Sequence, residues 1–125
     1  MRIDKDLVAA SATPLVLGIL ADGESYGYAI LKRVNELSGG RMTWTDGMLY
    51  PLLHRLERLS YVEASWRVAS TGRRRKHYAI TAAGASALAE RRQQWAVVSG
   101  TLDRVWAEAG ALLGPVPAPL TGPAR

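Results

Sequence analysis

Five leucines between Met42 and Leu59 constrain this chain more than any other feature. Leu49, Leu52, Leu53, Leu56 and Leu59 recur at helical spacing and form one apolar stripe. Gly47, Tyr50, Pro51, His54 and Arg58 fall on the opposite side of the same helix. Thr45 is placed to cap its N-terminus, and Asp46 then sits where the helix dipole favours negative charge. Pro51 lies inside the helix, where it removes a backbone hydrogen bond and crowds the preceding turn. A local rule broken within an otherwise regular pattern points to a functional surface.

The flanking segments decide what kind of surface it is. Upstream, Ser25 is a plausible cap for a helix from Tyr26 to Ser38, with Ile30, Leu31, Val34 and Leu37 as its core face. Gly39-Gly40 ends that helix, and a short connection leads to the leucine helix. Two short helices joined by a tight Gly-containing turn form the helix-turn-helix layout. Downstream, Val62–Val68 alternates as a strand does. A small-residue turn from Ala69 then runs into the basic stretch Arg73-Arg74-Arg75-Lys76, and His77-Tyr78-Ala79-Ile80 returns as a second strand. A hairpin with a positively charged tip directly after a helix-turn-helix is a winged helix. One helix suits the major groove, and the basic wing suits neighbouring phosphates. Trp44 and Trp66 flank this head and read as packing residues. Tyr78 reads equally well as core.

The charge distribution agrees. The chain carries a net charge of +5, and the segment from Arg41 to Tyr78 holds all of that excess. A localised basic excess is the electrostatic footprint of a polyanion partner. The 125 residues suggest one compact unit, and a chain this small often completes its core by oligomerising. With no Cys, and only His54 and His77 in separate elements, neither a disulfide nor a metal site is expected. No Gly-rich phosphate loop and no cluster of carboxylates is present, so no catalytic constellation emerges. No apolar run approaches the roughly 18 residues of a membrane span, which leaves a cytoplasmic protein as the expectation.

The two ends of the chain read as helices with other duties. Residues 4–21 are apolar on more than one side through Leu7, Val8, Ala10, Leu15, Leu17, Ile19 and Leu20, and Pro14 should kink them. Asp22-Gly23 ends this helix. Thr81 caps a long last helix over residues 82–110. Leu88, Trp95, Leu102 and Ala109 repeat every seven residues there, with Val98, Val105 and Leu112 in the alternate seam. That heptad argues for packing against another helix. The expected layout is mainly α with a small β-hairpin. Residues 1–80 form the winged helix-turn-helix, 81–113 a dimerisation helix, and 114–125 a Pro-rich tail expected to be extended or disordered.

Three stretches carry a family resemblance. Tyr26-Gly-Tyr-Ala-Ile-Leu-Lys32, Gly47-Met-Leu-Tyr-Pro-Leu-Leu-His-Arg-Leu-Glu57 and Gly72-Arg-Arg-Arg-Lys-His-Tyr-Ala-Ile-Thr-Ala-Ala-Gly84 resemble the PadR family of transcriptional regulators, in this order. The single C-terminal helix looks like the smaller subfamily that includes a lactococcal multidrug-responsive repressor. The resemblance runs from about Ile3 to Glu108. It implies a homodimer whose first and last helices interlock, and repression by two winged helices on a partly palindromic operator. In the multidrug-responsive members, a Trp from each last helix lines a pore where flat aromatic drugs stack. Trp95 matches that position, and Val98, Ser99, Leu7, Ala10, Leu17 and Gly18 match other pore-lining positions. Three departures stand out. Ser99 replaces an acidic residue, Pro14 and Gly18 replace bulkier or polar ones, and Ser60 stands where a Gly usually ends the recognition helix.

Pattern and resemblance together assign DNA contact to Tyr26, Thr45, Gly47, Met48, Tyr50, Pro51, His54, Arg58, Arg73, Arg74, Arg75 and Lys76. They assign a planar aromatic ligand, with no cofactor, to Leu7, Ala10, Pro14, Leu17, Gly18, Trp95, Val98 and Ser99. Dimer contact goes to Leu88, Leu102, Val105, Trp106 and Ala109. The competing reading is a constitutive winged-helix adaptor that binds DNA and a protein partner without any small ligand.

Overall fold

A computed structural model describes residues 1–115 and 117. The elements are α1 (Lys5–Ala21), β1 (Ser25–Tyr26), α2 (Gly27–Leu37), α3 (Asp46–Arg58), β2 (Val62–Val68), β3 (Arg74–Ile80), α4 (Ala82–Glu108) and the single turn α5 (Gly110–Leu113). The fold is mainly helical with a three-stranded antiparallel sheet in the order β1-β3-β2. Most of the tail expected to be disordered, residue 116 and residues 118–125, lies outside the described residues. Among the described residues, no helix is long and apolar enough to cross a membrane.

The core collects one face from each element of the head. Val16, Leu17 and Leu20 of α1, Ile30 and Val34 of α2, and Leu49, Leu52, Leu53 and Leu56 of α3 are buried together with Trp44, Val62 and Tyr78. Burial of this kind contributes about 1.5–3 kcal/mol per large aliphatic side chain. Four of the five stripe leucines are therefore core. The fifth, Leu59, is the C-cap of α3 and is half exposed, because the helix stops before the stripe can use it. Leu37 is likewise exposed at the end of α2. The apolar α1 uses only part of its circumference, since Leu7 and Ala10 remain exposed.

Helix ends are set by local backbone bonds. After α2, the Gly40 N–H donates to the Asn35 carbonyl at 2.8 Å and the Gly39 N–H to Glu36 at 3.2 Å, with both glycines at positive φ. After α3 the same motif recurs without glycine. Ser60 takes φ 63°, its N–H donates to Glu57 at 3.0 Å, and Tyr61 donates to Leu56 at 2.9 Å. At the start of α4, the Thr81 hydroxyl donates to the Ser60 carbonyl at 2.6 Å and accepts the Gly84 N–H at 3.0 Å. A side chain at position 84 would collide with the Tyr61 carbonyl, so Gly84 lets α4 start hard against the end of α3.

Three expectations need correction. Ser25 caps no helix: Ser25 and Tyr26 pair with Tyr78 and His77, and α2 begins only at Gly27. The added strand gives these two backbones sheet partners that a local helix signal does not reveal. Thr45 occupies the N-cap of α3, but its side chain makes no capping bond. The basic run is not a loop, because Arg74, Arg75 and Lys76 lie within β3, paired opposite Val68, Arg67 and Trp66.

Candidate nucleic-acid interface

The exposed face of α3 carries Gly47, Tyr50, Pro51, His54 and Arg58, all open to solvent. The wing stands beside it. Between them lies a hollow of about 530 Å³ bordered by Tyr26, Tyr50, His54, Arg73, Arg74, Arg75 and Lys76, seven of the twelve residues assigned to DNA. Gly27, Tyr28, Trp66 and Tyr78 complete its lining. Tyr78 is buried against the core, so its role there is structural. Burial raises its hydroxyl above the ordinary tyrosine value of 10.0, with the Glu57 carboxylate and the Tyr50 hydroxyl adding to the effect.

Close packing fixes Tyr50. A Cβ on Gly27 would strike its hydroxyl and come within 2.7 Å of Cζ and 3.2 Å of Cε1. The absent side chain at the first position of α2 is thus the seat of the phenol ring. Tyr28 follows at 68% exposure, and sequence reasoning singled out neither residue as a contact. Trp66 was expected to be packed, yet it is 59% exposed on the wing. Its position opposite Lys76 follows from the hairpin register, and the strand alternation alone does not reveal which face the hollow takes.

The wing cations differ in what holds them. Arg73 and Arg74 are exposed, and the Arg74 guanidinium lies 4.8 Å from the Trp66 ring centroid. Arg75 is half-buried, 4.5 Å over the ring of Tyr26. Lys76 lies 5.6 Å over Tyr78 and pairs with Glu57 of α3 at 3.6 Å, which ties the wing to that helix. On the face of the sheet that carries Arg75, Glu24 accepts from Arg67 at 2.8 Å and stands 3.7 Å from His77 Nδ1. Arg67 is therefore paired within the chain.

The remaining assigned residues lie elsewhere. Thr45, Gly47, Pro51 and Arg58 are exposed outside the hollow. Met48 borders a separate concavity with Ile3, Val8 and Thr43 at the start of α1.

A second groove, of about 790 Å³, runs between α1 and α4. Of the residues assigned to a ligand, Pro14, Gly18, Trp95 and Ser99 line it, together with Leu15, Leu88 and Arg92. Leu17 does not, because it is fully buried in the core of the chain. Leu7, Ala10 and Val98 are exposed away from the groove. Leu88, expected at a dimer seam, packs against the core and α1 of its own chain. Leu102, Val105 and Trp106 stay 41–56% exposed along α4, and Ala109 is the exposed cap at its end.

Residues 16–90 match the transcriptional regulator PadR-like family. The chain is similar to a PadR-like transcriptional regulator from Bacillus cereus, with 30% identity and a TM-score of 0.71 over 81% of this chain and 96% of that one. Its fold also resembles a transcriptional regulator from Clostridium thermocellum, with a TM-score of 0.74, 24% identity and coverage of 80% and 97%. It is 34% identical over 80 residues to the transcriptional regulator YqjI of Escherichia coli, a match covering 64% of this chain and 37% of that longer protein. The chain belongs to the PadR-like family of transcriptional regulators.

Proposed function

We propose that this chain works in the cytoplasm as a homodimer that represses transcription from a partly palindromic operator. A flat aromatic molecule bound where the subunits meet relieves the repression. The observation that carries the DNA reading is the hollow in which the exposed face of α3 meets the basic wing. Tyr50 and His54 are the side chains offered to base edges, and Arg73, Arg74 and Arg75 are offered to phosphates. Base edges specify, whereas phosphate contacts position and supply salt-dependent affinity.

Dimerisation is supported by α4, whose Val98, Leu102, Val105 and Trp106 leave an apolar seam uncovered in the single chain. Isolated chains rarely expose such a continuous patch without a partner. The ligand reading rests on the groove with Trp95 in its wall, an aromatic face on which a planar molecule stacks. Such a ligand shifts DNA affinity only through its different affinity for two arrangements of the reading heads.

Two titrations test the proposal. Arg73→Ala with Arg74→Ala removes the two exposed wing cations. It should lower the slope of log affinity against log salt by about 1.8 per reading head, a difference of about twelvefold between 50 and 200 mM salt. An unchanged slope would refute the wing as the phosphate-binding element. Titration of the parent and Trp95→Ala with flat aromatic compounds should quench fluorescence in the parent alone. Equal quenching in both would make Trp95 a packing residue. A monomer by sedimentation would instead favour an adaptor that offers α4 to another protein.

A further inference from the structure

Consecutive cations of the wing each lie over an aromatic ring, and the rings come from different strands. Arg74 lies over Trp66 of β2 at 4.8 Å, and Arg75 over Tyr26 of β1 at 4.5 Å. The sheet register explains both contacts. Trp66 sits opposite Lys76, so Arg74 is its diagonal neighbour, and Tyr26 sits opposite His77, so Arg75 is its diagonal neighbour. The central strand therefore sends consecutive arginines to opposite neighbours. Trp66 is otherwise unexplained, because more than half of this large apolar side chain faces water on a short hairpin.

We infer that Trp66 and Tyr26 are positioning residues that hold the Arg74 and Arg75 guanidiniums in the orientation used on DNA. The inference rests on the DNA reading above and assigns no phosphate contact to either ring. A free arginine samples many rotamers, and immobilising it on a phosphate costs affinity. A ring beneath the guanidinium removes part of that cost before binding, through cation–π attraction and a flat surface that restricts the side chain. The number of phosphates neutralised stays the same. A ring that only orders a cation changes affinity at every salt concentration equally, whereas loss of the cation itself also changes the slope.

The test measures binding of a mixed-sequence DNA duplex over a salt series by the full chain and by Trp66→Leu, Tyr26→Leu, Trp66→Phe and Tyr26→Phe. Each leucine variant should bind about two- to fivefold more weakly per reading head, with the line shifted in parallel and its slope kept. Each phenylalanine variant should recover most of the loss, because a ring remains. In an Arg74→Ala background, Trp66→Leu should have no further effect. If leucine at position 66 unfolds the wing, Trp66→Thr takes its place, since a β-branched residue suits an exposed strand position. Leucine variants that bind as the parent does would overturn the proposal, as would a slope reduced by about 0.9 per head, which is the signature of a lost phosphate contact. A parent that binds no duplex at low salt removes the DNA reading and this proposal together. A parent that binds as well as its leucine variants removes this proposal alone.

Discussion

Ser60→Gly should stabilise the protein without touching its DNA face. Ser60 holds φ 63° in the turn that ends α3, a backbone region that costs an L-residue about 1–2 kcal/mol. Glycine removes that cost but brings extra freedom to the unfolded chain, which takes back about 0.4–1 kcal/mol. Ser60 itself contributes only backbone groups to the bonds at this position. The Ser60 N–H donates to Glu57, and its carbonyl accepts from Thr81. Glycine keeps both. The net gain is about 0.5–1 kcal/mol, equivalent to about 2–4 °C in Tm for a chain of this size. Urea unfolding followed by tryptophan fluorescence at one fixed protomer concentration measures it, because any association would couple stability to concentration. The midpoint should rise with an unchanged m-value and unchanged DNA affinity. An unchanged or lowered midpoint would refute the claim that the turn is strained by its side chain.

Three further outcomes follow from the same geometry. Gly27→Ala should push Tyr50 from its seat and reduce preference for operator over random DNA in competition binding; an equal effect in a Tyr50→Ala background would show that Tyr50 is not involved. Glu57→Gln should free Lys76 and raise both affinity and salt slope, the latter by at most about 0.9 per head, and the gain should vanish in a Lys76→Gln background. Tyr78 holds its proton more tightly when folded than when unfolded, so its contribution is complete below the ordinary value of 10.0 and is lost as pH rises through the folded value. Tyr78→Phe should therefore flatten the loss of stability in alkaline urea titrations, and a parallel pH profile would count against burial as the cause.

The head was legible in the sequence where burial has a period. The α3 stripe announced its buried face from Leu49 to Leu56, and the polar residues opposite it are exposed as expected. The signal failed at Leu59, where capping rather than periodicity decides burial. It failed at Ser25-Tyr26, because a two-residue strand exists only through its pairing with β3. In α1, apolar residues on several sides give no preferred face, so Leu17 and Gly18 looked alike. Packing then sent the first into the core and left the second in the groove wall. Of the wing, the charge was legible but not its arrangement. Which arginine meets which ring is a matter of register across three strands, and Trp66 acquires its partner only when β2 and β3 are laid side by side.

The bond from Thr81 to Ser60, with Gly84 set against the Tyr61 carbonyl, makes α4 a lever arm rather than a tether. Its 27 residues span about 40 Å. Because its first turn is clamped to the end of α3, a tilt of about 5° about the distal end carries the reading head through about 3.5 Å, roughly the rise of one base pair. In the proposed dimer, two such arms hinged at a common seam set the span between the heads. A movement at the seam no larger than a side-chain adjustment would put the heads out of step with the DNA helix.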